Sequence, residues 1–220
     1  MKKPIRIVQF GCGPIGCRIA QLASSRPAIQ LVAGIDINPR LQGKDIGEIA
    51  GGEPLDAPIL ETWDQIPADA TDLVIHTTGS SLVAVAPQLR ELLAKGVNVV
   101  STCEELSFPF EKNMKLASEL HNQAIRSGAT LLGTGINPGY LMDAWPLFMT
   151  GPCQVVHAIR ATRTQDASDR RGPFQHKIGA GLDEKEFRRQ AAAGAIRHVG
   201  LTESAWMIAF HQVLWLVRKD

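Results

Sequence analysis

The chain has 220 residues, 23 Lys and Arg against 22 Asp and Glu, and a hydrophobic fraction of 45%. That is length for one large domain or for a medium and a small one, with apolar content enough for a buried core. A net charge of +1 scattered along the chain excludes the electrostatic footprint of a nucleic-acid or anionic-membrane binder, and no apolar run reaches the length of a bilayer span.

The N-terminal MKKPIRIVQFGCG starts with a short apolar run, but a Gly-rich turn interrupts it where a signal peptide would stay apolar. The chain is therefore read as cytoplasmic. The cysteines Cys12, Cys17, Cys103 and Cys153 have no zinc-knuckle spacing and are read as reduced thiols. Lys3 to Phe10 is a β-branched run and predicts a buried strand. Pro14 to Ala23 has helical spacing, with Ile15, Ile19 and Leu22 on one face. Ile29 to Ile37 predicts a second strand, and Asn38 to Asp64, rich in Gly and Pro, predicts mostly loop. Further strands are predicted at Asp72–Thr78, Val97–Thr102 and Ala129–Gly133, with helices at Leu82–Lys95 and Glu111–Ser127. Beyond Pro138, Gln154 to Gln165 alternates apolar and polar and predicts a longer strand with one wet face; Asp183–Ala193 and Glu203–Val217 predict helices.

Continuously apolar strands that alternate with helices define a parallel sheet covered on both faces. Gly11-Cys12-Gly13-Pro14-Ile15-Gly16 is a G-x-G-x-x-G placed between the first strand and the first helix. Its glycines serve a tight turn, a close approach of pyrophosphate and close helix packing, while free N–H groups at the helix start receive phosphate. Asp36 stands twenty positions after Gly16, at the end of the second strand, where a carboxylate accepts ribose hydroxyls and repels a 2′-phosphate. Arg40 is either a solvated loop charge or a 2′-phosphate contact, so the expected cofactor is NAD or NADP. Thr77, Thr78 and Gly79 end the third predicted strand and belong beside that cofactor, or simply form a turn. The fold class is α/β: a Rossmann-type doubly wound parallel sheet in residues 1–140, followed by a smaller, incomplete α+β domain in residues 141–220.

The fourth predicted strand runs into Ser101-Thr102-Cys103-Glu104-Glu105. Two carboxylates past a parallel strand are either candidate general bases at the crevice mouth or a helix-start pair. After the fifth strand, Gly133-Thr134-Gly135-Ile136-Asn137-Pro138-Gly139 lets backbone approach a ligand, and Asn137 can donate to a carboxamide or carbonyl; the alternative is a domain-linking turn. Arg163, Gln165, Asp166, Arg170, Arg171, Gln175, His176 and Lys177 crowd one segment, with His198 and Glu203 beyond; they form either a solvated face or a substrate wall. No histidines have metal-ligand spacing with a third partner, so no metal is expected.

Together GCGPIG, STCEELSFP, GTGINPGYLMD, RTQDASDRRGPFQHKIGAG and HVGLTES resemble the 2,4-diaminopentanoate dehydrogenases and native amine dehydrogenases, whose two-domain plan is similar to that of dihydrodipicolinate reductase. The resemblance covers nearly the whole chain. It implies NAD(P)-dependent interconversion of a small amine with a ketone or aldehyde plus ammonia. It implies Glu104 as the key carboxylate, with Glu105 second, and Arg163 and Gln165 in the pocket. Cys103, next to Glu104, is a candidate cofactor contact. Leu106, Phe108, Tyr140, Met142 and Trp145 are either pocket walls or simple core, and His176 is either a pocket acid–base group or structural. Members of the family run on well past the HVGLTES helix, so the second domain is expected either to lean on a partner chain as a homodimer or to be cut short. Two rival readings stay open at this point. One is a dihydrodipicolinate-reductase-like or amino-acid dehydrogenase, with Arg170 and Arg171 receiving a substrate carboxylate. The other is a non-catalytic NAD(P)-binding sensor.

Overall fold

The computed structural model describes residues 3–67, 69–164, 166–168, 172–196 and 200–217. The chain divides into two units, Met1–Gly135 and Ile136–Asp220. The first unit contains β1 (Ile5–Phe10), α1 (Pro14–Ser24), β2 (Ile29–Ile35), α2 (Ile46–Ile49), β3 (Ile59–Leu60), β4 (Leu73–His76), α3 (Leu82–Ala94), β5 (Asn98–Ser101), α4 (Glu104–Ser107), α5 (Met114–Ser127) and β6 (Leu131–Gly133). The second contains α6 (Ala144–Met149), α7 (Gly172–Lys177), α8 (Glu184–Ala192) and α9 (Leu201–Val217).

The strands form one sheet in the order β3-β2-β1-β4-β5-β6, parallel throughout. Alternate residues of β1 feed opposite faces: Ile7 joins Ala20, Ala23 and Leu31, while Val8 and Phe10 join Leu89, Leu92 and Leu93 of α3 and Leu120 of α5. The three α3 leucines are fully buried, and each contributes about 1.5–3 kcal/mol relative to exposure. The order reverses between β1 and β4, which opens the crevice at the carboxyl ends of those strands.

One expectation is corrected and two are sharpened. In α1 the packed face is Gly16, Ala20 and Ala23, whereas Ile15 and Leu22 are about half exposed. Small residues win that face because the helix must lie close to the sheet beneath the Gly-rich turn. Residues 38–64 are mostly loop, and within them β3 adds a sixth strand against Gly34 and Ile35. Asp45 organises the segment: its carboxylate accepts N–H bonds from Gly47, Glu48, Leu55 and Ala57. Burial raises the pKa of that carboxyl, and the four donors outweigh it, so the net shift is downward. Finally, residues 154–164 form no strand. A strand exists only where a neighbour takes its N–H and C=O groups, and the second unit supplies no such neighbour among the described residues.

At the amino ends of the two central strands, Arg6 and Asp72 tie β1 to the start of β4. Asp72 accepts the Arg6 backbone N–H at 2.8 Å and pairs with its guanidinium at 2.8 Å. The Arg6 hydrogen bonds hold the Asp72 carboxyl down to about 2, from an ordinary 3.8. A depressed carboxyl stabilises the fold above its unfolded pKa and stops doing so as the pH falls through its folded value. Urea denaturation is therefore expected to show wild type above Asp72→Asn in stability at neutral pH, with the gap closing between about pH 4 and about pH 2. A gap independent of pH would count against the pair.

In the second unit, Asp143 is completely buried and accepts bonds from Gly139 N–H (2.8 Å), Ala144 N–H (2.6 Å) and the Ser204 hydroxyl of α9 (2.8 Å). It latches the turn after Pro138 to α9. Hydrogen bonds to a charged group contribute about 1.5–3 kcal/mol, so Asp143→Ala is expected to destabilise this unit by about 3 kcal/mol in thermal or urea unfolding. An unchanged transition would remove the latch.

Candidate active site

The carboxyl ends of the strands carry the turns that matter. Each turn begins by extending the sheet: Gly11 N–H donates to Ile35 O, Thr77 N–H to Phe10 O, Thr102 N–H to His76 O and Thr134 N–H to Ser101 O, all at 2.8–3.0 Å. Gly11, Thr77 and Thr102 thus stand in one row on β1, β4 and β5, with neighbours about 4.8 Å apart.

In the Gly-rich turn, Gly11 has φ +93°, the left-handed region, and its carbonyl accepts bonds from the Thr77 hydroxyl (2.8 Å) and the Gln9 amide (3.1 Å). A Cβ on Gly16 would lie 1.8 Å from that same carbonyl oxygen. A Cβ on Gly13 would meet nothing within 4 Å, so open space faces the start of α1. Pro14 opens that helix, and no side chain caps it. Free N–H donors at a helix start, under open space, fit a phosphate. Asp36 completes the pattern. One of its oxygens accepts Cys12 N–H and the other Asn38 N–H, both at 2.8 Å, so the carboxylate is held at the end of β2 beside the turn. The turn therefore fits a dinucleotide. Arg40 is exposed, its N–H bonded to the Asn38 side chain, and Ile15 is exposed beside Gly13.

The two adjacent carboxylates differ. Glu105 accepts Leu82 N–H at 2.8 Å and so caps α3. Among the described residues the Glu104 carboxylate has no hydrogen bond or ion pair, and it is only partly buried. Cys103 turns its thiol inward to Ser80 O, and burial pushes it up to about 12, which leaves an inert thiol. Cys12 is likewise buried and pushed up to about 12. Leu106 is core and lies against Gly133; Phe108 packs edge-on to Phe110. Thr78 bonds the Gln88 side chain at 2.6 Å, and Gly79 approaches Val85.

Asn137, Tyr140, Arg163 and His176 belong to the second unit. Asn137 precedes a cis peptide bond to Pro138, and its side-chain oxygen lies 3.4 Å from the Ser204 hydroxyl. Tyr140 lies against Trp145 and is half exposed, and Arg163 and His176 are exposed. Gln165, Arg170, Arg171 and His198 lie outside the described residues. The sequence reading missed Gln9, His76, Ser101 and Gln88. Its available signal was polar residues inside apolar strand runs, in IVQF and LVIH. No group of His, Cys, Asp and Glu among the described residues could hold a metal ion, and no described helix is long and apolar enough to cross a membrane.

Residues 5–119 match the family model for the N-terminus of dihydrodipicolinate reductase. The chain belongs to that family. Residues 140–216 match the 2,4-diaminopentanoate dehydrogenase C-terminal domain, so the family resemblance read from the motifs is the one found. The chain is 29% identical over 208 residues to a 2,4-diaminopentanoate dehydrogenase of Acetoanaerobium sticklandii, covering 93% of this chain and 59% of that protein. It is 27% identical over 189 residues to an amine dehydrogenase of Streptomyces virginiae, covering 80% of this chain and 51% of that one. Among solved structures, the amine dehydrogenase from Mycobacterium smegmatis superposes with a TM-score of 0.78 at 24% identity, over 93% of this chain and 61% of the other; it shares the fold. The chain thus spans a little over half the length of the curated relatives it matches.

Proposed function

We propose that the protein is an NAD(P)-dependent amine dehydrogenase that interconverts a small amine or diamine with a ketone or aldehyde and ammonia. The observation that carries the reading is Glu104: a partly buried carboxylate with no hydrogen-bond partner among the described residues, two strands along the carboxyl edge from a turn built for pyrophosphate. Both family matches support it, as do the dehydrogenase activities named for the relatives that cover most of this chain.

The chemistry follows from the residues. Bound NAD(P) supplies the two-electron acceptor or donor. Gly11, Gly13 and Gly16 seat its pyrophosphate on the start of α1, and Asp36 takes the ribose hydroxyls, which favours NAD. An ammonium cannot lose hydride from its carbon, because the nitrogen lone pair must be free to form the imine. Glu104 takes that proton and later moves protons between water, the carbinolamine and the departing ammonia. In the reverse direction the same carboxylate helps ammonia condense with the carbonyl. No step requires a metal, because the cofactor supplies the electronics and the protein the orientation.

The test is loss of NADH or NADPH absorbance with a panel of small ketones and aldehydes and excess ammonium at alkaline pH. Ammonia-dependent turnover supports the reading; tight cofactor binding with no turnover on any carbonyl would end it. We further expect a second copy as partner, because Tyr140, Trp145 and Phe148 form an aromatic cluster 48–74% exposed on the second unit. Sedimentation velocity should show a dimer that Trp145→Glu weakens; a monomer at micromolar concentration would refute this.

A further inference from the structure

We propose that His76 is a positioning residue: its imidazole ties the Ser101–Cys103 turn, which carries Glu104, to the Thr78 turn beside the dinucleotide loop, one arm through each ring nitrogen. The turnover side of this inference rests on the amine dehydrogenase reading; the cofactor side rests only on the Gly-rich turn.

His76 ends β4 and is completely buried, its ring and that of Phe10 meeting in a T-shaped contact. Nδ1 lies 2.9 Å from Ser101 Oγ at the end of β5, and Cys103 N–H donates to that same oxygen at 3.1 Å. Nε2 lies 2.8 Å from Gln88 Oε1 and 2.9 Å from Thr78 Oγ1, and the Thr78 hydroxyl itself donates to Gln88 Oε1 at 2.6 Å. These contacts select one tautomer. The Thr78 hydroxyl proton is committed to Gln88, so the Thr78 and Gln88 oxygens both act as acceptors toward Nε2, which must carry the proton. Nδ1 then accepts the Ser101 hydroxyl, which in turn accepts Cys103 N–H. The other tautomer would set Nε2 against the Gln88 oxygen and leave the Ser101 proton without a named acceptor. Burial lowers the His76 pKa, in keeping with a neutral ring.

A buried polar network costs stability unless every member is satisfied, and a hydrophobic residue at this strand end would fill the same core. What the imidazole adds is a fixed separation between two turns. Glu104 follows Cys103 directly, and Thr77, next to Thr78, holds the Gly11 carbonyl. Small displacements of a reacting group cost turnover steeply, so a rigid link here acts on both the general base and the cofactor seat.

The arms can be cut separately in the full chain. His76→Asn places a side-chain oxygen where Nδ1 stands and keeps the Ser101 arm; His76→Gln places an amide N–H where Nε2 stands and keeps the Thr78 and Gln88 arm. For His76→Asn we expect NADH affinity, read by fluorescence titration, to fall about tenfold, with kcat within about threefold of wild type. For His76→Gln we expect kcat to fall about tenfold or more, with NADH affinity within about threefold. Long-range proton–nitrogen spectra of the histidine-labelled wild type should show a neutral ring protonated at Nε2, and this reading does not depend on either variant folding. Both variants failing equally in both properties, neither failing, or a ring protonated at Nδ1 would overturn the proposal. If wild type binds NADH but shows no ammonia-dependent turnover, the amine dehydrogenase reading falls, while the NADH titrations and the tautomer still decide the role of His76.

Discussion

Glu104→Gln is expected to lower ammonia-dependent turnover by about 10²–10⁴-fold, the range a positioned general acid–base group supplies, while NADH affinity stays within about twofold of wild type. The amide has the shape of the carboxylate but cannot take a proton from an ammonium. The substitution should also be quiet structurally, because among the described residues nothing is hydrogen-bonded to the Glu104 carboxylate that an amide would release. Its neighbour behaves differently. The Glu105 carboxylate holds the first N–H of α3, so Glu105→Ala should appear in the unfolding curve, at about 1 kcal/mol for a lost cap, rather than first in the chemistry. Initial rates against ammonium and carbonyl, beside fluorescence titration with NADH and a urea melt, separate the two. Full activity in Glu104→Gln would remove this carboxylate from the mechanism.

Gly16→Ala is expected to abolish cofactor binding and to weaken the fold together. A Cβ here would sit 1.8 Å from the Gly11 carbonyl oxygen and 2.9 Å from both the Gly11 carbonyl carbon and the Gln9 amide nitrogen. The near atoms are mostly backbone, and the carbonyl is already held by Thr77 and Gln9, so no side chain can swing away to make room. Either α1 moves off the turn or the turn moves off the sheet. Overpacking of this kind costs about 1–3 kcal/mol and sometimes more. The displaced N–H groups no longer converge on the pyrophosphate; two lost bonds to a charged group amount to about 3 kcal/mol or more, a loss of at least about a hundredfold in NADH affinity. Gly13→Ala provides the contrast, since its Cβ enters open space: it should leave the melt unchanged and weaken only the cofactor. Wild-type affinity in Gly16→Ala would mean that the turn is not the seat of the dinucleotide.

Much of the first unit could be read from sequence because its determinants are local. A continuously apolar run between turn residues reads as a strand of a covered sheet, and each such run before Gly133 became a strand, shortened by a residue or two at its ends. The glycine spacing carries its own stereochemistry: Gly11 must take a positive φ and Gly16 must be bare, and both requirements are visible in the residue letters. Asp36 could be placed because the distance from Gly16 fixes the end of the next strand. The second unit was harder. The alternation at 154–165 is a property of one segment, whereas a strand is a property of two, and none of residues 154–164 forms one.

What the tertiary structure alone decided are the pairings of residues far apart in the chain. The sequence showed two carboxylates side by side in Cys-Glu-Glu and no way to rank them from position; the fold brings Leu82 N–H onto Glu105, twenty-three residues away, and leaves Glu104 without such a partner among the described residues. It set Gln9 and Thr77, sixty-eight residues apart, under one glycine carbonyl, and linked His76 to Ser101 across neighbouring strands. The sequence by itself determined the parallel sheet and the pyrophosphate turn, since backbone stereochemistry and hydrophobic periodicity act over a few residues. The roles of individual polar side chains came only with the structure, because a hydrogen bond is set by distance in space and not along the chain.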